Sequence, residues 1–586
     1  MKKNTCFLRL LVPFILFFLS ACGAEQKDTL TIIETTDLHG VILPYDFIES
    51  RDLTASLAGI ATYVNRLRAE KGEVLLLDDG DNLQGQPEVY YYNFIDTVSP
   101  HFGAEAMNWL GYDAASVGNH DIETGHPVYD RLTAKYNFAL LAANAVDTRT
   151  GKPYFKPYTV VEKKGFRIVV LGLITPEVPT WLPPELYSGM EFRDMEETAR
   201  QWMPAMKAEK PDLIVGLFHS GWDDRIHKNG KGDEPGSSGS AEVARNVPGF
   251  DIILNGHDHR TVNEKIVNSE GDTVLILDAG SRGEKLARAD IIFSGGADGT
   301  KVKSFRGRIV DIDGMKPDPQ FMEKFSPAGD IIKEYVGRTI ATSEATISSR
   351  DAYFGPSPFV DMIHRIQLDI TKADVSFAAP LSFDVSIRKG PVTVGDMFKL
   401  YRFENMLYTM SLTGAEIKKY LEFSYAEWLN TMTRPGDYLL KYRLDKKGKV
   451  DRSAGAAWLR NQPYNFDSAA GIDYTVDARK PEGKRITIRS FSDGRPFEMN
   501  KSYTVALNSY RGSGGGGHLT AGAGIKTGKL AGRLISSTDR DLRYYMLKYL
   551  EEKGTVKPVA LNNWKIIPEG WVKNARSREY RMLFGK

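Results

Sequence analysis

Thr36-Asp37-Leu38-His39, Gly80-Asp81-Asn82, Gly118-Asn119-His120-Asp121, Phe218-His219-Ser220-Gly221 and Gly256-His257-Asp258-His259 are the stretches that decide the fold. Each closes a short apolar run that reads as a buried strand, over 30–33, 74–77, 114–117, 213–218 and 252–254. Strands buried on both faces belong to α/β sheets, which gather functional side chains in the crevice beyond the strand ends. Five of the ten histidines lie in these five loops. Imidazole, carboxylate and amide donors are therefore expected to meet in one place, as a metal centre requires.

The regions around the loops fit that frame. Residues 26–325 alternate strand and helix patterns, with Leu57, Ile60, Tyr63, Val64 and Leu67 at helical spacing over 55–69 and a second helix over 195–209. A Gly/Ser-rich surface loop is expected over 230–240. Composition shifts near Met315–Pro319, where a helical stretch over 319–335 is expected, with a helical linker over 326–345 and a second α/β domain over 346–586. The length of 586 residues permits two or three domains. With 76 basic against 75 acidic residues, the net charge of +1 leaves no electrostatic footprint for polymeric nucleic acid.

The N-terminus reads as a processing signal. Lys2, Lys3 and Arg9 flank or enter an apolar stretch over 7–19, followed by Leu19-Ser20-Ala21-Cys22. A membrane-crossing helix needs about 20 apolar residues, so this stretch is a signal segment instead. The tetrapeptide resembles a bacterial lipobox. It implies loss of residues 1–21, a lipid on Cys22, and a protein held in the cell envelope by that anchor. Cys6 and Cys22 are the only cysteines, so any metal falls to His, Asp and Asn.

Those donors suit Zn, Mn, Fe or Co. Asp37, His39, Asp81, Asn119, His219, His257 and His259 are the candidate ligands. Two divalent ions, partly neutralised by Asp37 and Asp81, would leave net positive charge to attract and polarise a phosphate. Such a pair also activates a bridging water and clamps an in-line displacement, so no serine or cysteine nucleophile is needed. His120, beside Asn119, is free to donate a proton to a leaving oxygen, with Asp121 or Glu123 as the carboxylate that orients it. His101, His126, His227, His364 and His518 lack such settings and read as surface or packing residues.

At these motifs the chain resembles the calcineurin-like metallophosphoesterases, specifically the 5′-nucleotidase group with its added C-terminal domain. The resemblance implies a four-layer α/β/β/α metal domain and a separate α/β substrate-specificity domain. It assigns one ion to Asp37, His39, Asp81 and His259, and the other to Asp81, Asn119, His219 and His257. It implies that Phe403 and Tyr510 sandwich a nucleotide base, that Asn405 helps read it, and that Arg350 lies near the phosphate or ribose. The substrate would be a mononucleotide.

Two departures bear on which one. The Asn-x-Gly-Gly-Ile-Arg stretch of 5′-nucleotidases is replaced by Ala378-Ala379-Pro380-Leu381-Ser382-Phe383-Asp384, and their Gly-Gly-Asp-Gly by Gly514-Gly515-Gly516-Gly517. These stretches, with Gly471-Ile472-Asp473-Tyr474-Thr475-Val476-Asp477 and Asn508-Ser509-Tyr510-Arg511, resemble the 2′,3′-cyclic-nucleotide 2′-phosphodiesterase/3′-nucleotidases. A cyclic phosphate carries less charge than a monoester and needs fewer arginines. A 5′-nucleotidase or UDP-sugar hydrolase is the alternative reading, and a non-catalytic nucleotide-binding lipoprotein a remote one.

Overall fold

The computed structural model describes residues 28–222, 239–295, 301–452 and 457–585. Cys22, His227 and most of the 230–240 loop lie outside the described residues.

Two six-stranded sheets face each other in the N-terminal half. One runs in the order Lys301–Asp311, Lys285–Gly295, Asp28–Thr35, Leu75–Asp78, Ala114–Ser116, Ala139–Leu141. The other runs Thr261–Val267, Thr273–Ala279, Ile252–Gly256, Leu213–His219, Phe166–Ile174, Tyr158–Lys163. The strands that carry the motifs pair in parallel, so their C-terminal ends open on the same side of each sheet.

Period-2 alternation explains the unbroken apolar runs. Ile32, Leu75, Leu77, Leu213, Val215 and Leu217 fill the space between the sheets. Ile33, Leu76, Ile214 and Phe218 point the other way, under the outer helices. Each fully buried side chain of this kind contributes about 1.5–3 kcal/mol. Leu57–Lys71 and Phe102–Leu110 cover the first sheet, and Met195–Ala208 with Ser240–Asn246 cover the second. The four-layer α/β/β/α arrangement expected from the resemblance is therefore present. Leu57–Lys71 shows how the local code works: Leu57, Ile60, Val64 and Leu67 are buried on one face, and Gly72 ends the helix at φ 79°.

The helix expected from Pro319 spans Pro319–Gly337. Asp318 caps it by accepting from the Gln320 and Phe321 amides at 3.0 and 2.9 Å, and Phe321, Phe325 and Ile332 pack into the N-terminal core. Thr339–Ser343 already pairs with Gly390–Thr393 and Thr555–Val556 in the second domain. That domain is built on a five-stranded sheet, Ser468–Ala470, Val375–Ala378, Ser502–Asn508, Met406–Thr413, Leu534–Asp541. Helix Gly414–Trp428 packs on it, started by a Thr413/Glu416 capping box. No helix among the described residues is long and apolar enough to cross a membrane.

A buried arginine joins the domains. Arg543, 2% exposed, lies over the rings of Phe398 at 4.0 Å and Tyr90 at 4.8 Å. It donates to the carbonyls of Tyr401 and Arg402 and stands 3.6 Å from Glu404. Tyr90, from the first domain, donates to Asp541 of the second at 3.0 Å. Burial pushes the Glu404 carboxyl up to about 8, against the pull of Arg543. Glu404 thus binds a proton in the folded state that the unfolded chain releases near its ordinary value, so its contribution to stability falls as pH rises from about 4.5 to 8. Thermal melts from pH 5 to 8.5 should show a smaller loss of Tm for Glu404→Gln than for wild type. Parallel pH curves for the two would refute this.

Candidate metal centre

Three of the five loops turn sharply as they leave their strands. Asp37, His39, Asp81, His257 and His259 all adopt left-handed backbone conformations, at φ 49°, 48°, 57°, 89° and 56°. Each costs of order 1–3 kcal/mol and persists only where the surroundings over-determine it. Eleven non-glycine residues among those described have positive φ, so nearly half of this strain falls on candidate ligands. Two glycines make the crowding possible. A Cβ on Gly118 would lie 2.1 Å from Asp81 Oδ1, and one on Gly256 would lie 2.1 Å from Thr36 Oγ1.

The donors meet in two groups, Asp37–His39–His259 and Asp81–His219–His257. In the first, His259 Nε2 lies 3.2 Å from Asp37 Oδ1 and 3.0 Å from His39 Nε2, and His39 Nε2 lies 3.9 Å from Asp37 Oδ1. A tetrahedral ion with bonds of about 2.0–2.2 Å has ligand edges of roughly 3.3–3.6 Å, so this triad has the right size. In the second, His219 Nε2 is 3.1 Å from Asp81 Oδ2. Asn119 Oδ1 is buried without a hydrogen-bond partner. An orphaned acceptor of this kind fits a cation that completes it.

Outer contacts fix the inner ones. His39 donates through Nδ1 to the Gln84 carbonyl at 3.0 Å and His219 through Nδ1 to the Asp79 carbonyl at 2.5 Å, which turns both Nε2 atoms toward the centre. Burial drives His39 down to about 4 and His257 to about 3, so both imidazoles are neutral. Burial acts against charge on Asp37, but the hydrogen bond from His259 and the charge of His219 hold it at about 2. Burial likewise opposes charge on His219 and His259; Asp81 lifts the first and the hydrogen bond to Asp37 lifts the second. Behind the loops, burial pushes Glu34, Asp79 and Asp278 up; acidic neighbours add to it at Glu34, while at Asp79 and Asp278 burial outweighs the charge of His219 and hydrogen bonds from Ser116, Gly280 and Asn255. Negative charge is thereby concentrated on Asp37 and Asp81.

His120 stands beside this centre, edge-on to His39 at 5.5 Å. Of its two candidate orienting carboxylates, Glu123 is the one in place, with Oε2 hydrogen-bonded to His120 Nδ1. Although burial opposes it, Asp81 and Glu123 raise His120 to about 9. Asp121 does not turn toward His120. Its two oxygens accept from the amides of Asp81, Asn82, Leu83 and Gly118 at 2.9–3.0 Å, tying two ligand loops together.

The second domain brings some of its expected residues to this crevice. The loop of Phe403 and Asn405 adjoins it, since Glu404 lies within range of the charges on Glu123 and His120. Phe403 is half-buried and edge-on to Tyr464, 5.9 Å between centroids. Tyr510 is half-buried, with Gly515 against its ring, where a Cβ would lie 2.4 Å from Cε2. Asn405 is buried, and its carbonyl accepts from Leu542 at 2.7 Å. Arg350 does not join them. Its guanidinium is taken by Asp384, at 2.5 and 2.9 Å, and lies over Phe584. The five histidines set aside in the sequence include His101, which caps Phe102–Leu110, and His364 and His518, which are buried and hydrogen-bonded.

Sequence reasoning missed the residues that support these loops. Arg511 follows Tyr510 like a substrate arginine, yet its donors are spent on Asp467, Gly515, Tyr464 and Asn465. Tyr464 and Trp181, which stacks on His257 at 5.2 Å, sit in no recognisable motif.

Residues 30–261 match the calcineurin-like phosphoesterase family and 336–522 the 5′-nucleotidase C-terminal domain. The chain thus carries a calcineurin-like phosphoesterase domain followed by a 5′-nucleotidase C-terminal domain. Among known proteins it is 26% identical to the trifunctional nucleotide phosphoesterase protein YfkN of Bacillus subtilis, over 93% of this chain and 39% of that longer one. It is 25% identical to the 2′,3′-cyclic-nucleotide 2′-phosphodiesterase/3′-nucleotidase of Yersinia enterocolitica, over 97% of this chain and 92% of the relative. A Staphylococcus aureus protein solved with alpha-ketoglutarate superposes with a TM-score of 0.72 at 20% identity, covering 92% of this chain and 100% of the other, a likeness of fold.

The electrostatics of the centre carry a consequence for loading. Protons held on His219 and His259 by Asp81 and Asp37 must leave when a divalent ion enters. Calorimetric zinc titrations in buffers of different ionisation enthalpy should register proton release, with affinity rising from pH 5 to pH 7. Affinity flat across that range would contradict the assignment.

Proposed function

We propose that this protein hydrolyses phosphoesters of mononucleotides, opening 2′,3′-cyclic nucleotides and then removing the 3′-phosphate to release nucleoside. The observation that carries the reading is the convergence of two donor groups on one crevice, with the His120–Glu123 pair beside them. Asp37, His39, Asp81 and His259 would hold one ion, and Asp81, Asn119, His219 and His257 the other. Bound there, two divalent ions supply charge neutralisation for the phosphate and activation of the attacking water.

The chain's own residues supply the rest. His120, whose Nδ1 faces Glu123, presents Nε2 to the crevice and protonates the ribose oxygen that leaves. Glu123 keeps that imidazole charged and in plane. Phe403 and Tyr510 hold the base, and the bond between Arg350 and Asp384 supports a substrate of lower charge, since it withdraws an arginine from the phosphate. A lipid on Cys22 would keep the enzyme in the cell envelope, and Cys22→Ser should move it from the membrane to the soluble fraction.

Phosphate release from 2′,3′-cAMP, 3′-AMP, 5′-AMP and a UDP-sugar tests the substrate. The first two should be turned over fastest, and 5′-AMP as the best substrate would replace this reading with the 5′-nucleotidase one. His120→Asn should lower kcat by about 10²–10⁴-fold with metal content unchanged. Because His120 is held near 9, activity that needs its proton should fall on the alkaline side as pH passes that value. Glu123→Gln removes one of the groups that raise it and should move this limb to lower pH.

A further inference from the structure

His257 is held differently from the other buried histidines of the centre. His39 and His219 are each oriented by a hydrogen bond from the second ring nitrogen to a backbone carbonyl. Among the described residues no hydrogen bond reaches either ring nitrogen of His257. Its backbone amide donates to Asp37 Oδ2 at 3.0 Å, which fixes the chain but leaves χ1 and χ2 free. What meets the ring is Trp181. The indole lies nearly flat on the imidazole, with centroids 5.2 Å apart and planes 28° apart.

Trp181 itself stands on a firm base. It ends the short helix Val178–Trp181, whose Val178 is fully buried and whose following residue Leu182 packs with Ile122, Tyr129 and Ile174. Upstream, the Thr175 amide donates to the His219 carbonyl at 2.8 Å. Downstream, Tyr129 donates its hydroxyl to the Leu186 carbonyl at 2.7 Å. The segment is thus tied to the strand of His219 and to the helix that follows His120.

We propose that Trp181 is the positioning residue for His257. Its face serves where no outer hydrogen bond from the described residues reaches the ring, and it fixes the imidazole plane, so that a ring nitrogen points at Asp81 and His219. The inference rests on reading the loops as a metal centre, and outer contacts of metal-ligating histidines are worth 10–100-fold in metal affinity. It assigns Trp181 to one ion of the two, that of Asp81, Asn119, His219 and His257.

The test is zinc titration of the full-length, chelator-stripped protein without substrate, followed by the visible absorption of the cobalt-loaded forms. Wild type and Trp181→Phe, which keeps an aromatic face, should bind two ions. Trp181→Leu should bind one as before and the other about ten-fold or more weakly, with a changed cobalt spectrum. Wild-type affinities and spectrum in Trp181→Leu would overturn the proposal. So would a loss confined to unfolding, seen as equal weakening of both ions with a lowered Tm of the metal-free protein. A wild type that binds no zinc would instead overturn the metal-centre reading, which keeps the two failures apart.

Discussion

One buried carboxylate, Asp121, holds the centre in shape. Its oxygens collect the amides of Asp81, Asn82, Leu83 and Gly118, so the second and third ligand loops share a single anchor. This matters because Asp81 is strained at φ 57° and pressed against Gly118. A left-handed aspartate in a free loop would relax to an extended form at a gain of about a kilocalorie per mole or more. Four amide hydrogen bonds to a carboxylate, each worth about 1.5–3 kcal/mol when charged, are enough to hold it. Asp81, Asn119 and His120 therefore occupy their places before any ion or substrate arrives.

The candidate donors, which the structure brings into two groups, stand out in the sequence because they sit where two regular signals cross. Strands buried on both faces read as unbroken apolar runs, and the polar residues that interrupt them are conspicuous. Asp121 and Glu123 were legible only as alternatives. Both lie within helical reach of His120, and what separates them is the direction of a side chain set by backbone amides 38–40 residues away in the chain. Arg350 illustrates the opposite case. Its position favoured a role at the phosphate, but Asp384, within the stretch that departs from the 5′-nucleotidase pattern, takes it in a two-pronged bond. The helix from Pro319 was legible for a plain reason: Asp318-Pro319 is both a composition break and a helix cap.

Charge is sorted in this molecule by burial. Carboxylates without cationic neighbours, such as Glu34 and Asp278, are driven toward their neutral forms. Asp37 and Asp81 face histidines and remain anionic at equal depth. The anionic field is therefore small, local and directed into the crevice, although many carboxyl groups surround it.

The second domain enters this field through a narrow set of contacts. Arg543 lies between Phe398 and Tyr90 and holds the carbonyls of Tyr401 and Arg402, immediately before Phe403. Tyr90 in turn ends a helix that starts at Pro87, next to Gln86, whose amide donates to the His39 carbonyl. From the other side, Val178–Trp181 touches His257 through Trp181 and packs against Ser509–Gly512, the helix that carries Tyr510. Both aromatic residues expected to grip a base are thus linked, through one or two packed elements, to histidines expected to grip an ion. A ligand that spans the crevice must fit the distance between those fixed ends.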